Sequence, residues 1–197
     1  MQKYIISYTP GSCGNFIAGL LYCFQTGIRL DIGSNGSLHK HLSNYYLKIH
    51  IDHGPPYGPM QQMILDDRYT IYHTHCYKFH PVILKNDIIF IKIRFKESSE
   101  DLIFDLYNRK VVNTVHGFFA PYDSDIYNSV KRHILEFRQH IQPTDKTIEF
   151  EDIWTNPNKL LEDISKYTGL PIPSNAIKMI SEYQLANVDV YNALNNR

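Results

Sequence analysis

The segment Asp87-Ile-Ile-Phe-Ile-Lys-Ile93 constrains this chain most. It is nearly continuous in β-branched and aromatic residues, as in a strand covered on both faces. Such a strand needs a layer above it and a layer below. Its parallel neighbours need long crossover connections, usually helices. The rest of the chain supplies both. Lys3-Tyr-Ile-Ile-Ser-Tyr8 and Arg68-Tyr-Thr-Ile-Tyr-His73 read as further strands, and Thr147-Ile-Glu-Phe150 as a short fourth.

Helical spacing fills the intervals between these strands. Residues Asn15 to Thr26 place Phe16, Ile17, Leu20, Leu21 and Phe24 on one face, with Gly27 as the stop. Residues Glu97 to Val111 carry a stripe of Leu102, Ile103, Leu106 and Tyr107, and Ser124 to Ile141 one of Ile126, Val130, Ile134 and Phe137. The clearest helix follows Asn156, a good N-cap. Pro157 takes its first position, Leu160, Leu161 and Ile164 form its apolar face, and Gly169 fits its left-handed terminus. A last helix starts at Ser174. Residues Asp31 to Pro59 are rich in Gly, Ser, Asn, His and Pro and read as irregular, with a helix from Leu38 to Ile49. Alternating strands and helices predict an α/β protein: a three-layer fold with a mostly parallel sheet flanked by helices. With no repeat or low-complexity linker, residues 1–197 read as one domain.

Charge narrows the partners. Lys plus Arg number 20 and Asp plus Glu 20, with no block of like charge, so neither nucleic acid nor a membrane surface is expected. The apolar run near the N-terminus is too short for a secretory or membrane-spanning segment. Cys13, Cys23 and Cys76 do not make a disulfide framework, which points to a reducing, cytoplasmic setting.

In parallel α/β sheets ligands bind beyond the carboxyl ends of the strands. After the first strand comes Thr9-Pro-Gly-Ser-Cys-Gly-Asn15, whose small residues let backbone N–H groups approach an anion at the N-terminus of the next helix. A phosphate or sulfate group is the natural occupant; a plain tight turn is the alternative. Phe16 stands where a Walker A loop needs glycine, and Gly19 where a Cys-x5-Arg phosphatase loop needs arginine. Cys13 at a helix N-terminus is either a thiol of lowered pKa or a structural residue. After the second strand comes His73-Thr-His-Cys-Tyr-Lys-Phe-His80. No second ligand pair supports zinc there, and no metal is expected. The histidines read as a general base or as structural residues. After the third strand, Arg94 can clamp a phosphate while Ser98 or Ser99 caps a helix and donates to the same anion, or all three are ordinary surface and capping residues.

In order and spacing, these segments resemble the sulfotransferase family that uses PAPS (3′-phosphoadenosine 5′-phosphosulfate). Pro10-Gly-Ser-Cys-Gly-Asn-Phe16 is similar to that family's phosphosulfate loop, Pro-Lys-Ser-Gly-Thr-Thr-Trp. Tyr72-His-Thr-His75 is similar to its Lys-Thr-His segment, and Ile88 to Arg94 to the strand ending in the arginine that grips the 3′-phosphate. Glu149-Phe-Glu-Asp-Ile153 and the helix to Gly169-Leu-Pro171 resemble its Tyr-Glu-Asp-Leu segment and trailing helix. The resemblance implies a P-loop-type fold, PAPS as co-substrate without metal, and sulfuryl transfer to a hydroxyl or amine of a small-molecule or glycan acceptor. It assigns His75 as catalytic base with His73 beside it. Gly11, Ser12, Cys13, Gly14, Asn15 and Phe16 become the nucleotide loop, and Arg94, Ser98 and Ser99 the 3′-phosphate contacts. Three positions differ from the family. Gly11 stands at the loop lysine, His73 at the other lysine, and Leu102 near the usual serine; a C-terminal Arg-Lys-Gly loop has no counterpart before Arg197. A kinase-like nucleotide-binding protein and a non-catalytic module of the same fold are the competing readings.

Overall fold

The computed structural model describes residues 2–9, 11–33, 70–74, 88–114 and 124–196. Its sheet consists of β1 (Lys3–Ser7), β2 (Ile71–Thr74), β3 (Ile88–Arg94) and β4 (Thr147–Glu149), in the order β2-β1-β3-β4. All neighbouring pairs are parallel: Tyr4 pairs with Ile71 and with Ile89, and Ile93 with Ile148. The four strands read from the sequence are all present. Residues 68, 69 and 87, expected at strand starts, lie outside the described residues, as does the helix expected over 38–49.

Side chains alternate across a strand, and parallel register partners share a face. Tyr4, Ile6, Ile71, Ile91, Ile93 and Ile148 therefore line one side and Ile5, Tyr72 and Lys92 the other, all of them buried. This double covering is what the apolar run of β3 demanded. The chain steps from β1 outward to β2 through α1 (Gly14–Thr26), and from β3 the opposite way to β4 through α2 (Glu100–Thr114) and α3 (Ser124–Gln139). Right-handed crossovers in opposite directions place α1 on one face and α2 and α3 on the other. Lys92 marks that second face. Its ammonium reaches the His140 carbonyl (3.3 Å) and the Asp145 carboxylate (2.6 Å), just past α3.

Four more helices complete the described chain: α4 (Asp152–Thr155), α5 (Pro157–Thr168), α6 (Ala176–Ala186) and α7 (Val188–Asn195). α5 packs on β3 and β4, and α6 bridges α5 and α1. As expected, the Asn156 side chain accepts from Lys159 N–H, and Gly27 and Gly169 end their helices at φ of +70°. The single C-terminal helix expected from the sequence is two, because Asn187 leaves the helical region at φ −133° and caps α7. Its Nδ2 donates to the Tyr183 carbonyl, so the chain bends around its own side chain. The helix expected from Glu97 opens as a 3₁₀ turn, Glu97–Ser99, before α2.

An aromatic file ties the first face together. Phe16 of α1 stacks on Tyr183 of α6 (3.9 Å between centroids, 14° between planes); Trp154 packs on Tyr183 at 5.6 Å, and Phe150 and Trp154 meet edge-on at 6.1 Å. Such pairs add about 0.5–1.5 kcal/mol each beyond burial. The file joins the first helix to elements more than 130 residues later, so a cavity in it is felt throughout. Phe16→Ala is expected to lower stability by roughly 3–5 kcal/mol in urea unfolding. Leu185→Ala, at a side chain 74% exposed, is expected to stay within about 0.5 kcal/mol of the parent.

Candidate functional site

Buried polar side chains gather at one edge of this sheet. Ser7 ends β1 and Thr9 and Ser12 follow it, His73 and Lys92 stand near the ends of β2 and β3, and Ser99, His133 and Glu151 close in from neighbouring elements. Burying a polar group without a partner costs about 1–3 kcal/mol, so such a cluster persists only when tied together. It is tied. The Tyr8 hydroxyl donates to Asn15 Oδ1 (3.1 Å) and bonds His73 Nδ1 (2.9 Å). The one hydroxyl thus links Asn15 of α1 to His73 of β2. Thr9 Oγ1 meets His133 Nδ1 at 3.2 Å, and Ser12 turns both its N–H (3.1 Å) and its hydroxyl (2.8 Å) onto the Thr9 carbonyl.

The loop between β1 and α1 owes its path to two glycines and one strained residue. Gly11 lies at φ +89°, and a Cβ there would overlap the backbone carbonyl of Ile103 in α2. Gly14 lies so close beneath the Tyr8 ring that a Cβ would sit inside it. Cys13 takes the left-handed conformation (φ 65°, ψ 22°) that a non-glycine residue adopts only when its surroundings impose it. It is buried and caps α1. The first bond within α1 runs from Ile17 N–H to the Cys13 carbonyl, so Gly14, Asn15 and Phe16 keep N–H groups without an intrahelical acceptor. Behind the loop, burial pushes the Tyr183 phenol well above its usual range, with the Cys13 thiol as its polar neighbour.

A second group stands at the ends of β3 and β4. Arg94 Nε donates to Glu149 Oε1 (2.6 Å), and Nη2 bonds the same oxygen; the residues are register partners on adjacent strands. This pairing with Glu149 raises the Arg94 pKa further. Arg94 remains 51% exposed and lines an open cleft with Lys96, Glu149, Glu151, Asp152 and Lys159. Lys159 bonds Asp152 and Asp163 (3.0 Å), and these contacts raise its pKa. Ser99 is buried with its hydroxyl on Glu151 Oε1, which also accepts from Lys96 N–H (2.9 Å). Ser98 is exposed.

Of the residues singled out from the sequence, Gly11, Ser12, Cys13, Gly14, Asn15 and Phe16 thus form one packed turn, joined to His73 through Tyr8. Arg94, Ser98 and Ser99 sit at the neighbouring strand end, with Ser99 turned inward to Glu151. His75 lies outside the described residues. Among the described residues no three His, Cys, Asp or Glu side chains are placed to hold a metal ion. Sequence reasoning passed over Tyr8, His133, Glu149 and Glu151. His133 carried a signal, since it lies on the helical face shared by Val130 and Phe137; a histidine there must find a buried partner.

Gly11 makes the sharpest stability forecast at this site. Gly11→Ala adds about 1–2 kcal/mol for the left-handed backbone and about 1–3 kcal/mol for the clash with Ile103, whose backbone cannot yield cheaply. A loss of roughly 2–5 kcal/mol is expected in chemical denaturation, and a loss under 1 kcal/mol would mean the loop is not seated on α2.

No family model, no curated protein and no solved structure matches this chain.

Proposed function

We propose that this protein binds a 3′-phosphorylated adenine nucleotide, PAPS or PAP, across the carboxyl ends of β1 and β3 and transfers the sulfuryl group to an acceptor hydroxyl or amine. The supporting observation is the strand order. The chain leaves β1 in one direction and β3 in the other, so their connections diverge and open a crevice between the two strand ends. This switch point is where open α/β sheets bind ligands. Both candidate anion groups flank it: the N-terminus of α1 follows β1, and Arg94 ends β3.

In this reading the N–H groups of Gly14, Asn15 and Phe16, with the partial positive charge of the α1 terminus, hold the 5′-phosphosulfate. The Ser12 N–H already bonds Thr9 and supports the turn instead. Arg94 takes the 3′-phosphate. His75 accepts the proton of the acceptor as its oxygen or nitrogen bonds sulfur and the bond from sulfur to the 5′-phosphate oxygen breaks, releasing PAP. Tyr8 fixes His73 beside that step. The acceptor is a small molecule or glycan.

A second reading has one observation behind it. Glycine stands at the loop lysine of the resembled family, and Gly11 is packed against Ile103, leaving no room there for any side chain. A protein that binds the nucleotide without transferring sulfuryl accommodates that fact.

Calorimetric titration with PAP, AMP and ATP tests the binding claim, with PAP expected to bind tightest. Arg94→Ala should weaken PAP by about 1.5–3 kcal/mol, the worth of a charge-assisted hydrogen bond, and AMP far less. Equal losses for both ligands would remove Arg94 from 3′-phosphate recognition. For transfer, His75→Ala should keep PAP affinity while turnover falls by roughly a hundredfold. Unchanged turnover by folded His75→Ala protein would eliminate His75 as the base, and no turnover by the parent would favour the non-catalytic reading.

A further inference from the structure

The guanidinium of Arg94 is held from one side only. Its Nε and Nη2 both reach a single oxygen, Oε1 of Glu149, so the carboxylate occupies the lateral edge of the fork. Nη1 and the terminal edge have no partner among the described residues, and the side chain is 51% exposed along the cleft. Glu149 is itself placed by the sheet. It pairs in register with Arg94, and its own side chain is only 20% exposed, so the acceptor is fixed relative to the donor. A long arginine at a strand end would otherwise sample many rotamers, all but one of which a ligand must suppress.

We infer that Glu149 is a positioning residue for anion recognition: it grips the lateral edge of Arg94 and presents the terminal edge to a phosphate monoester in the cleft. This rests on the reading above that Arg94 takes the 3′-phosphate. Glu149 exerts two opposing effects. As an acceptor it orders the fork, which favours the ligand; as a neighbouring negative charge it weakens the attraction for a dianion. The cleft as a whole is balanced, with Arg94, Lys96 and Lys159 facing Glu149, Glu151 and Asp152. Recognition there depends on the geometry of one fork more than on a positive field.

Two substitutions separate these effects. Glu149→Gln and Glu149→Ala both remove the charge, but only glutamine keeps an oxygen that accepts from Arg94 Nε–H. Positioning predicts that Glu149→Gln binds PAP about three- to tenfold more tightly than Glu149→Ala, the range expected from one long side chain left unordered. AMP, which lacks the 3′-phosphate, should bind the two variants equally. A residue that served only the fold would lower the melting temperature without changing the PAP-to-AMP preference of the folded protein. Equal PAP affinity for the two variants, with the parent still preferring PAP over AMP, overturns the positioning role and leaves the functional reading standing. A parent that binds PAP no better than AMP overturns both.

Discussion

Everything else in this structure is arranged around β1, which hydrogen-bonds β2 on one side and β3 on the other. A five-residue strand paired along both edges has no freedom left in its backbone. Tyr4, Ile5 and Ile6 are all buried, so its two faces are covered as well. The loop that follows inherits this rigidity. Ser12 closes onto Thr9, Gly11 sits against Ile103, and Cys13 holds a left-handed conformation it would not choose alone. Strain of about 1–3 kcal/mol at such a position persists only where the surroundings over-determine it. Here β1 before it and the buried helix α1 after it do so.

The parts legible in the sequence were those set by local chemistry. Strand identity followed from β-branched runs, and the ends of α5 from Asn156, Pro157 and Gly169, because each of these residues acts on its own backbone or its nearest neighbours. The parts that escaped depend on distant partners. Ser99 reads as a helix cap that could also donate to an anion, yet its hydroxyl lies on Glu151, 52 residues away. Arg94 reads as a phosphate clamp, yet it meets Glu149 because β4 happens to be its neighbour, which no local pattern announces. The split of the last helix at Asn187 lies between these cases. Asparagine competes for backbone groups through its own side chain, and that tendency was visible, but apolar residues on both sides masked it.

The two histidines beside β1 show how buried polar rings serve packing. His73 bonds the Tyr8 hydroxyl and His133 the Thr9 hydroxyl, so consecutive residues of the chain each hold an imidazole. Each is 1% exposed. Such side chains brace the carboxyl edge through hydrogen bonds that an apolar residue could not make. At His73 the bond between Nδ1 and the Tyr8 hydroxyl ties the second strand to the loop that follows the first.

The electrostatics of the crevice follow from what glycine at position 11 leaves out. A lysine there would place a full charge near a departing group, but the Ile103 backbone fills the space such a side chain would need. The N-terminus of α1 supplies positive potential at the loop, equivalent to about half a charge and worth roughly 0.3–1 kcal/mol at an exposed site, up to about 2 kcal/mol when partly buried. That is enough to hold an anion alongside direct N–H bonds. It is small against the 8 kcal/mol or more by which enzymes typically lower a barrier. On the proposed reading, the same packing that makes the loop rigid sets the balance between binding and turnover. On that reading, a site built this way holds its nucleotide through backbone geometry, and any transfer draws chiefly on proton abstraction and on the orientation of the acceptor.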